Sequence, residues 1–242
     1  MAKLWLVLLF LCGASGMVVA EPQAVPVYVY HDYPPYIAED GRDLSHALID
    51  ALNERATGRY HFELKLLPRR RVDRLIASPD WRGVVAWVNP AWLKPSAERL
   101  QWSPPLLRDT DLWVTLRERP LSREQIEKQG GYRLGSLLGH RYAELERKRT
   151  AVPIQRFDTP SMESLARMLM AGRVDVITMP ALTEDWLAEQ WPQWRAQVVT
   201  LPRGEPYPRL LLSNSADPML AAYLAGVAQA LYRDPRWPSL EP

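Results

Sequence analysis

Apolar and polar positions along this chain switch repeatedly between a period of two and a helical period, and the switch points divide it into short segments. A strand opens the pattern at Val25, and the spacing of Leu44, Leu48, Ala51 and Leu52 then predicts a helix with Asp43 as N-cap and Gly58 as stop. "YHFELKLL" (60–67) predicts a strand ended by Pro68. A short helix over 70–77 leads into "GVVAWV" (83–88), whose unbroken apolar run predicts a buried central strand ended by Asn89 and Pro90. From Ala91 to Asp111 prolines recur, which predicts loop and short helix rather than regular structure.

The second half repeats the alternation. "DLWVTL" (111–116) reads as a strand, "LSREQIEKQGG" (121–131) as a helix capped by Ser122 and stopped by its glycine pair, and "YRLGS" (132–136) as a strand. "LLGHRYAELERKR" (137–149) predicts a turn and helix, and "VPIQRF" (152–157) a strand. Thr159 as N-cap and Pro160 at the first helical position predict a helix that stops at Gly172, followed by a buried strand in "VDVIT". A helix over 182–190, the strands "AQVVT" (196–200) and "YPRLLLS" (207–213), and an amphipathic helix in "DPMLAAYLAGVAQALYRD" (217–234) complete the series. Such alternation predicts parallel α/β units.

Composition narrows the class. With 242 residues, 47% of them hydrophobic and 24% charged, the chain can bury one large core or those of two small lobes. A formal net charge of +2 argues against a nucleic-acid footprint and a polybasic membrane anchor. The strongest local bias, "RRRVDR" at Arg69 to Arg74, suits either a solvated helix start or a functional patch. Lys3, the apolar "LWLVLLFLC" and the small residues before Glu21 predict a secretory signal peptide cleaved after Ala20, hence a periplasmic, soluble mature protein. The only cysteine, Cys12, falls inside that signal, so no disulfide is expected; Leu11 before it is too large for a lipoprotein cleavage site.

Four stretches carry a likeness: "VYVYHDYPPYIAEDG" (27–41), "RVDRLIAS" (71–78), "ERLQWSPPLL" (98–107) and "LMAGRVDVIT" (169–178). In order and spacing they resemble the extracytoplasmic solute-binding proteins of family 3, the amino-acid-binding type. The resemblance implies an α/β, two-lobed periplasmic-binding-protein-like (type II) fold with the ligand cleft between the lobes. Lobe one would comprise 25–110 plus 201–242 and lobe two 111–200, closing on a small-molecule ligand.

Carried over to this chain, the pattern points to Asp32, Tyr33 and Tyr36 after the first strand, Arg71 on the cleft-side helix, Asn89 and Trp92 after the buried strand, and His140, Arg141 and Tyr142 at a lobe-two helix start. Trp87 alternates within its apolar strand and is assigned to the core. Two departures matter. Ser96 stands where the family clamps a carboxylate with arginine, and Pro180 where it holds an acid for the ligand's amino group. A standard amino acid is therefore not the expected ligand; a small polar or anionic molecule with a flat or apolar part is.

The expected role is capture for an ABC-type permease, with a sensor module for a membrane receptor and a dehydratase-like enzyme as alternatives. Only His31, Asp32, His140 and Asp158 are placed to act as acids or bases, and no nucleophile elbow, phosphate loop or metal spacing occurs. The expectation is a non-enzyme and a monomer, with no cofactor.

Overall fold

In the computed structural model, which describes residues 21–93, 99–140 and 150–238, β1 (Gln23–Val29) turns Val25, Val27 and Val29 inward and is followed by α1 (Leu44–Arg55). The Asp43 carboxylate caps α1 by accepting from the backbone N–H groups of Ser45 and His46. Leu44, Leu48, Ala51 and Leu52 form its buried stripe, as the spacing predicts. β2 (Tyr60–Leu66), α2 (Arg69–Ala77) and β3 (Val84–Val88) follow, and β1 pairs in parallel with both β2 and β3. All five residues of β3 are buried. The signal segment, Ser96, Arg141 and Tyr142 lie outside the described residues.

The proline-broken stretch corrects the sequence reading. It contains two short strands, β4 (Leu100–Trp102) and β5 (Leu107–Asp109), both antiparallel to β11 (Tyr207–Asn214). Pro104 and Pro105 fall between these strands, where the ladder needs no donor. The sheet runs β2-β1-β3-β11-β4, with β5 also on β11.

A second sheet runs β10-β6-β9-β7-β8, from β6 (Asp111–Leu116), β7 (Arg133–Leu137), β8 (Gln155–Thr159), β9 (Val176–Pro180) and β10 (Val198–Pro202). β7 is parallel to β8 and β9, whereas β6 is antiparallel to β9 and β10. Both sheets are thus mixed. The strands that carry the chain between the sheets, β5 to β6 at 109–111 and β10 to β11 at 202–207, all pair antiparallel with their neighbours.

Four helices accompany these strands: α3 (Met162–Met170), α4 (Ala181–Gln190), α5 (Trp194–Gln197) and α6 (Pro218–Tyr232). The cap of α3 is Ser161, whose Oγ accepts from Ser164 N–H; Thr159, expected there, is instead the last residue of β8 and pairs with Leu137. The helix expected over 121–131 runs over 123–129, widening at Gln125–Gln129; Ser122 Oγ accepts from Gln125 N–H and Gln125 Oε1 from Ser122 N–H, and Gly130 and Gly131, both at φ +76°, stop it as expected.

Each sheet has its own core. Val27, Leu48, Phe62 and Leu224 lie in the first; Leu165, Leu169, Ile177 and Trp194 lie in the second. Burying one such leucine contributes about 1.5–3 kcal/mol. Among the described residues no helix is long and apolar enough to cross a membrane.

Candidate functional site

The loop after β1 brings the first side chains to the region between the sheets. It contains the cis Pro34–Pro35 bond, and Tyr36 N–H bonds back to the Tyr33 carbonyl. Tyr36 is fully buried and donates its hydroxyl to Asp109 Oδ2 at 2.6 Å. From the second sheet's layer, Thr183 at the start of α4 donates to the Pro34 carbonyl at 2.9 Å. The loop therefore touches both halves of the molecule.

At the centre lies Arg209 of β11. Its Nε donates to Asp109 Oδ2 at 3.0 Å and its Nη2 lies 2.9 Å from the same oxygen. Nη1 donates to the Trp87 carbonyl at 3.3 Å and to His31 Nε2 at 3.2 Å, and Nη2 reaches the Tyr207 hydroxyl at 3.3 Å. The guanidinium also lies over three rings, 4.4 Å from the centroid of Tyr36, 5.2 Å from Trp92 and 5.4 Å from Tyr207. Asp109 accepts in addition from Thr110 N–H at 2.9 Å and, at 3.4 Å, from Leu182 N–H in the first turn of α4. One carboxylate is shared among the first sheet, a crossover and a second-sheet helix.

Burial by itself would lower the pKa of Arg209, yet the oxygens of Tyr36 and Tyr207, as they ionise, and the Asp109 carboxylate outweigh it and hold the group well above its ordinary value. Burial raises Tyr33, Tyr36 and Tyr207 against the opposing pull of Arg209, so all three are neutral hydroxyls. His31 is pushed well below its ordinary value, first by burial and then by Arg209, with the Trp87 carbonyl acting the other way. Arginine can only donate, so Nε2 of His31 accepts, and Nδ1 carries the proton and donates to the Tyr33 hydroxyl at 2.9 Å. This tautomer is assigned from the bonding pattern.

The Trp87 carbonyl reaches Arg209 because Trp87 has φ +64°, and the pairing of β3 with β11 slips between Leu210 and Leu212. A left-handed tryptophan costs about 1–3 kcal/mol. Its ring is 0% exposed, donates Nε1–H to Ser45 Oγ at 2.9 Å and stacks on Trp237, which offsets that cost and agrees with the core assignment.

Around this centre the expected residues separate. Tyr33 and Trp92 are half-buried; Trp92 lies edge-on to Tyr207 at 5.1 Å and to His31 at 6.1 Å. Asn89 is buried; its Oδ1 accepts from Ala91 N–H and its Nδ2 donates to the Pro208 carbonyl at 2.8 Å, tying β3 to β11. Asp32 and Arg71 are exposed. Arg69, two residues earlier, faces Tyr30 at 4.8 Å from its centroid and bonds the Tyr30 hydroxyl, the Trp92 carbonyl and Asp73. His140 follows β7, and its carbonyl accepts from Arg156 at 2.6 Å. The residue is exposed, and crowding by neighbouring atoms holds its imidazole below the ordinary value, opposed by Asp111 and reinforced by Arg203, Arg156 and Arg69.

The residues that sequence reasoning missed are Arg209, Asp109, Asp111, Tyr207, Arg203 and Arg69. The visible signal was a lone arginine among the apolar residues of "YPRLLLS", which demands a buried partner. The arginines in this region are matched by aspartates: Arg209 with Asp109, Arg203 with Asp111 at 3.2 Å, and Arg156 with Asp158 at 2.7 Å. Pro180 is a buried residue of β9 and brings no carboxylate. A concavity of about 780 Å³ lies elsewhere, beside α3, lined by Ser164, Arg167, Met168 and Trp191 among others. It is wide open and shares no residue with the cluster just described, whose converging polar groups make it the stronger candidate.

No protein-family model matches the sequence, and no curated protein matches it. Solved structures do. An ancestral arginine-binding protein bound to arginine superposes with a TM-score of 0.68 at 14% identity, over 90% of this chain and 96% of that one. The holo arginine-binding protein ArgBP from T. maritima gives 0.63 at 14% identity, over 88% and 92%. The periplasmic domain of BvgS from B. pertussis gives 0.65 at 18% identity, over 87% of this chain and 40% of that one. At such identities the likeness speaks for architecture alone: this chain has the two-lobed fold of the periplasmic amino-acid-binding proteins.

Proposed function

We propose that the protein is a periplasmic solute-binding protein that captures a small polar molecule between its two sheet-and-helix lobes. The observation that carries this reading is that the loop after β1 and the strand β5 meet the start of α4 at the crossovers, through Tyr36, Asp109 and the Leu182 N–H on one side and the Pro34 carbonyl with Thr183 on the other. The half-buried rings of Tyr33, Trp92 and Tyr207 offer stacking area for a flat part of the ligand. Standard α-amino acids are expected to bind poorly, since Pro180 supplies no acid and the donors of Arg209 are engaged internally. Binding is favoured over lyase chemistry because His31 is fixed as a neutral spacer between Tyr33 and Arg209.

Thermal melting of the mature chain against a broad panel of polar metabolites tests this reading, because a ligand that binds only the folded state raises Tm by mass action. A shift with at least one compound at millimolar concentration is expected, and none across the panel would count heavily against it. Delivery to an ABC-type permease is the role we assign. The likeness to a BvgS periplasmic domain favours, as a second reading, a module that presents its liganded form to a membrane receptor. Co-purification with a permease or with a sensor separates the two.

A further inference from the structure

We infer that the protein carries a guanidinium-binding cage which its own Arg209 occupies, so that a side chain of the chain sits as an internal ligand at the crossovers. The cage has the parts that recognise a planar cation: a carboxylate (Asp109), a carbonyl (Trp87), a ring nitrogen (His31), a hydroxyl (Tyr207) and the faces of Tyr36, Trp92 and Tyr207. Its walls come from the loop after β1, β3 and the segment after it, β5 and β11, so the occupant joins elements remote in sequence.

Two features mark it as a built site rather than a surface pair. Both charged partners are sealed, with the Arg209 and Asp109 side chains 1% and 0% exposed. In addition, the Trp87 backbone is held in a left-handed conformation that presents a carbonyl to the guanidinium. A planar fork satisfies these acceptors together, which a compact ammonium does not. The inference goes beyond the solute-binding reading and does not rest on it: the cage is present whether or not a solute binds.

The test vacates the cage and refills it. Arg209→Ala removes the atoms that make up ethylguanidinium, so that compound is the probe and ethylammonium at equal concentration the control. Arg209→Ala is expected to lose about 10 °C in Tm, the loss set by the stranded Asp109 carboxylate. Ethylguanidinium should restore at least half of it, ethylammonium should not, and the wild type should respond to neither. The double variant Arg209→Met with Asp109→Asn removes both charges and should fold without responding. If Arg209→Ala does not fold alone, recovery from urea is measured by circular dichroism with each salt, and recovery with ethylguanidinium only supports the cage. A wild-type Tm in Arg209→Ala, an equal response to both salts, or no recovery with either would overturn it. Solute binding by the wild type is read separately and leaves this outcome untouched.

Discussion

The guanidinium of Arg209 and the carboxylate of Asp109 lie 2.9 Å apart on the two strands that flank the crossovers, β11 and β5. Removing two charges from water costs several kcal/mol per ion, so the pair persists only because neighbours fill its remaining valences. Tyr36, Thr110 and Leu182 do so for the carboxylate, and His31, Trp87 and Tyr207 for the guanidinium. The pair thereby fixes where both connecting segments leave the first sheet.

Tyr36→Phe keeps the ring over Arg209 and deletes only the 2.6 Å hydrogen bond to Asp109. A hydrogen bond to a buried charge is worth about 1.5–3 kcal/mol, and the variant is expected to lose that amount. Urea denaturation with an unchanged m-value checks it; a loss below 0.5 kcal/mol, roughly the floor for such a bond, would mean that Asp109 does not depend on Tyr36.

Acid should destabilise the protein through His31. Its folded pKa lies well below the ordinary 6.5, so the unfolded chain takes up a proton first as pH falls. Stability is therefore full above pH 6.5 and declines below it by up to about 1.4 kcal/mol per pH unit until the folded pKa is reached. His140, also depressed, acts in the same sense, whereas Glu184, raised by burial, gains stability as pH falls toward its unfolded value. His31→Gln should flatten the decline between pH 6.5 and 5, a range set by the ordinary imidazole value. An unaltered slope in melting curves would assign the effect elsewhere.

The hydroxyl of Thr183 joins α4 to the Pro34 carbonyl in the first loop. Thr183→Val preserves the shape and removes the link, at a cost of about 1 kcal/mol. Ligand-free protein should then scatter X-rays with a larger radius of gyration than the wild type; identical profiles would show that the link does not restrain the lobes.

Arg69 and Arg71 stand two residues apart on α2, and it is Arg69 that bonds Tyr30, Trp92 and Asp73. Arg69→Met is expected to lower stability by about 1–2 kcal/mol and to free the Trp92 ring, while Arg71→Met stays within about 0.5 kcal/mol of wild type. Intrinsic tryptophan fluorescence quenching by iodide reports the ring. Equal effects from both substitutions would refute the distinction.

Much of this was legible in the sequence because it depends on local rules. Asp43 announces α1, the five apolar residues of β3 announce a central strand, and the tyrosines beside Pro34 and Pro35 mark a structured loop. The proline-rich stretch concealed β4 and β5, since three-residue strands carry no period and exist only because β11 pairs with them. The cluster itself was half visible. Tyr33, Tyr36 and Trp92 follow strand ends, but Asp109 and Arg209 are 100 residues apart and only tertiary pairing reveals them as partners. Arg69 and Arg71 could not be ranked either, because both lie in the first turn of α2 and the choice depends on which face of that turn meets Tyr30.

β11 is the fourth strand of the first sheet's order, yet it is made after every strand of the second. During synthesis, the second sheet can therefore assemble while β3 waits with one edge unpaired. A nascent chain stopped before Tyr207 should protect the amides of β6 to β10 and leave β3 open to exchange. The late arrival of one strand makes the first half of the polypeptide the last to become native.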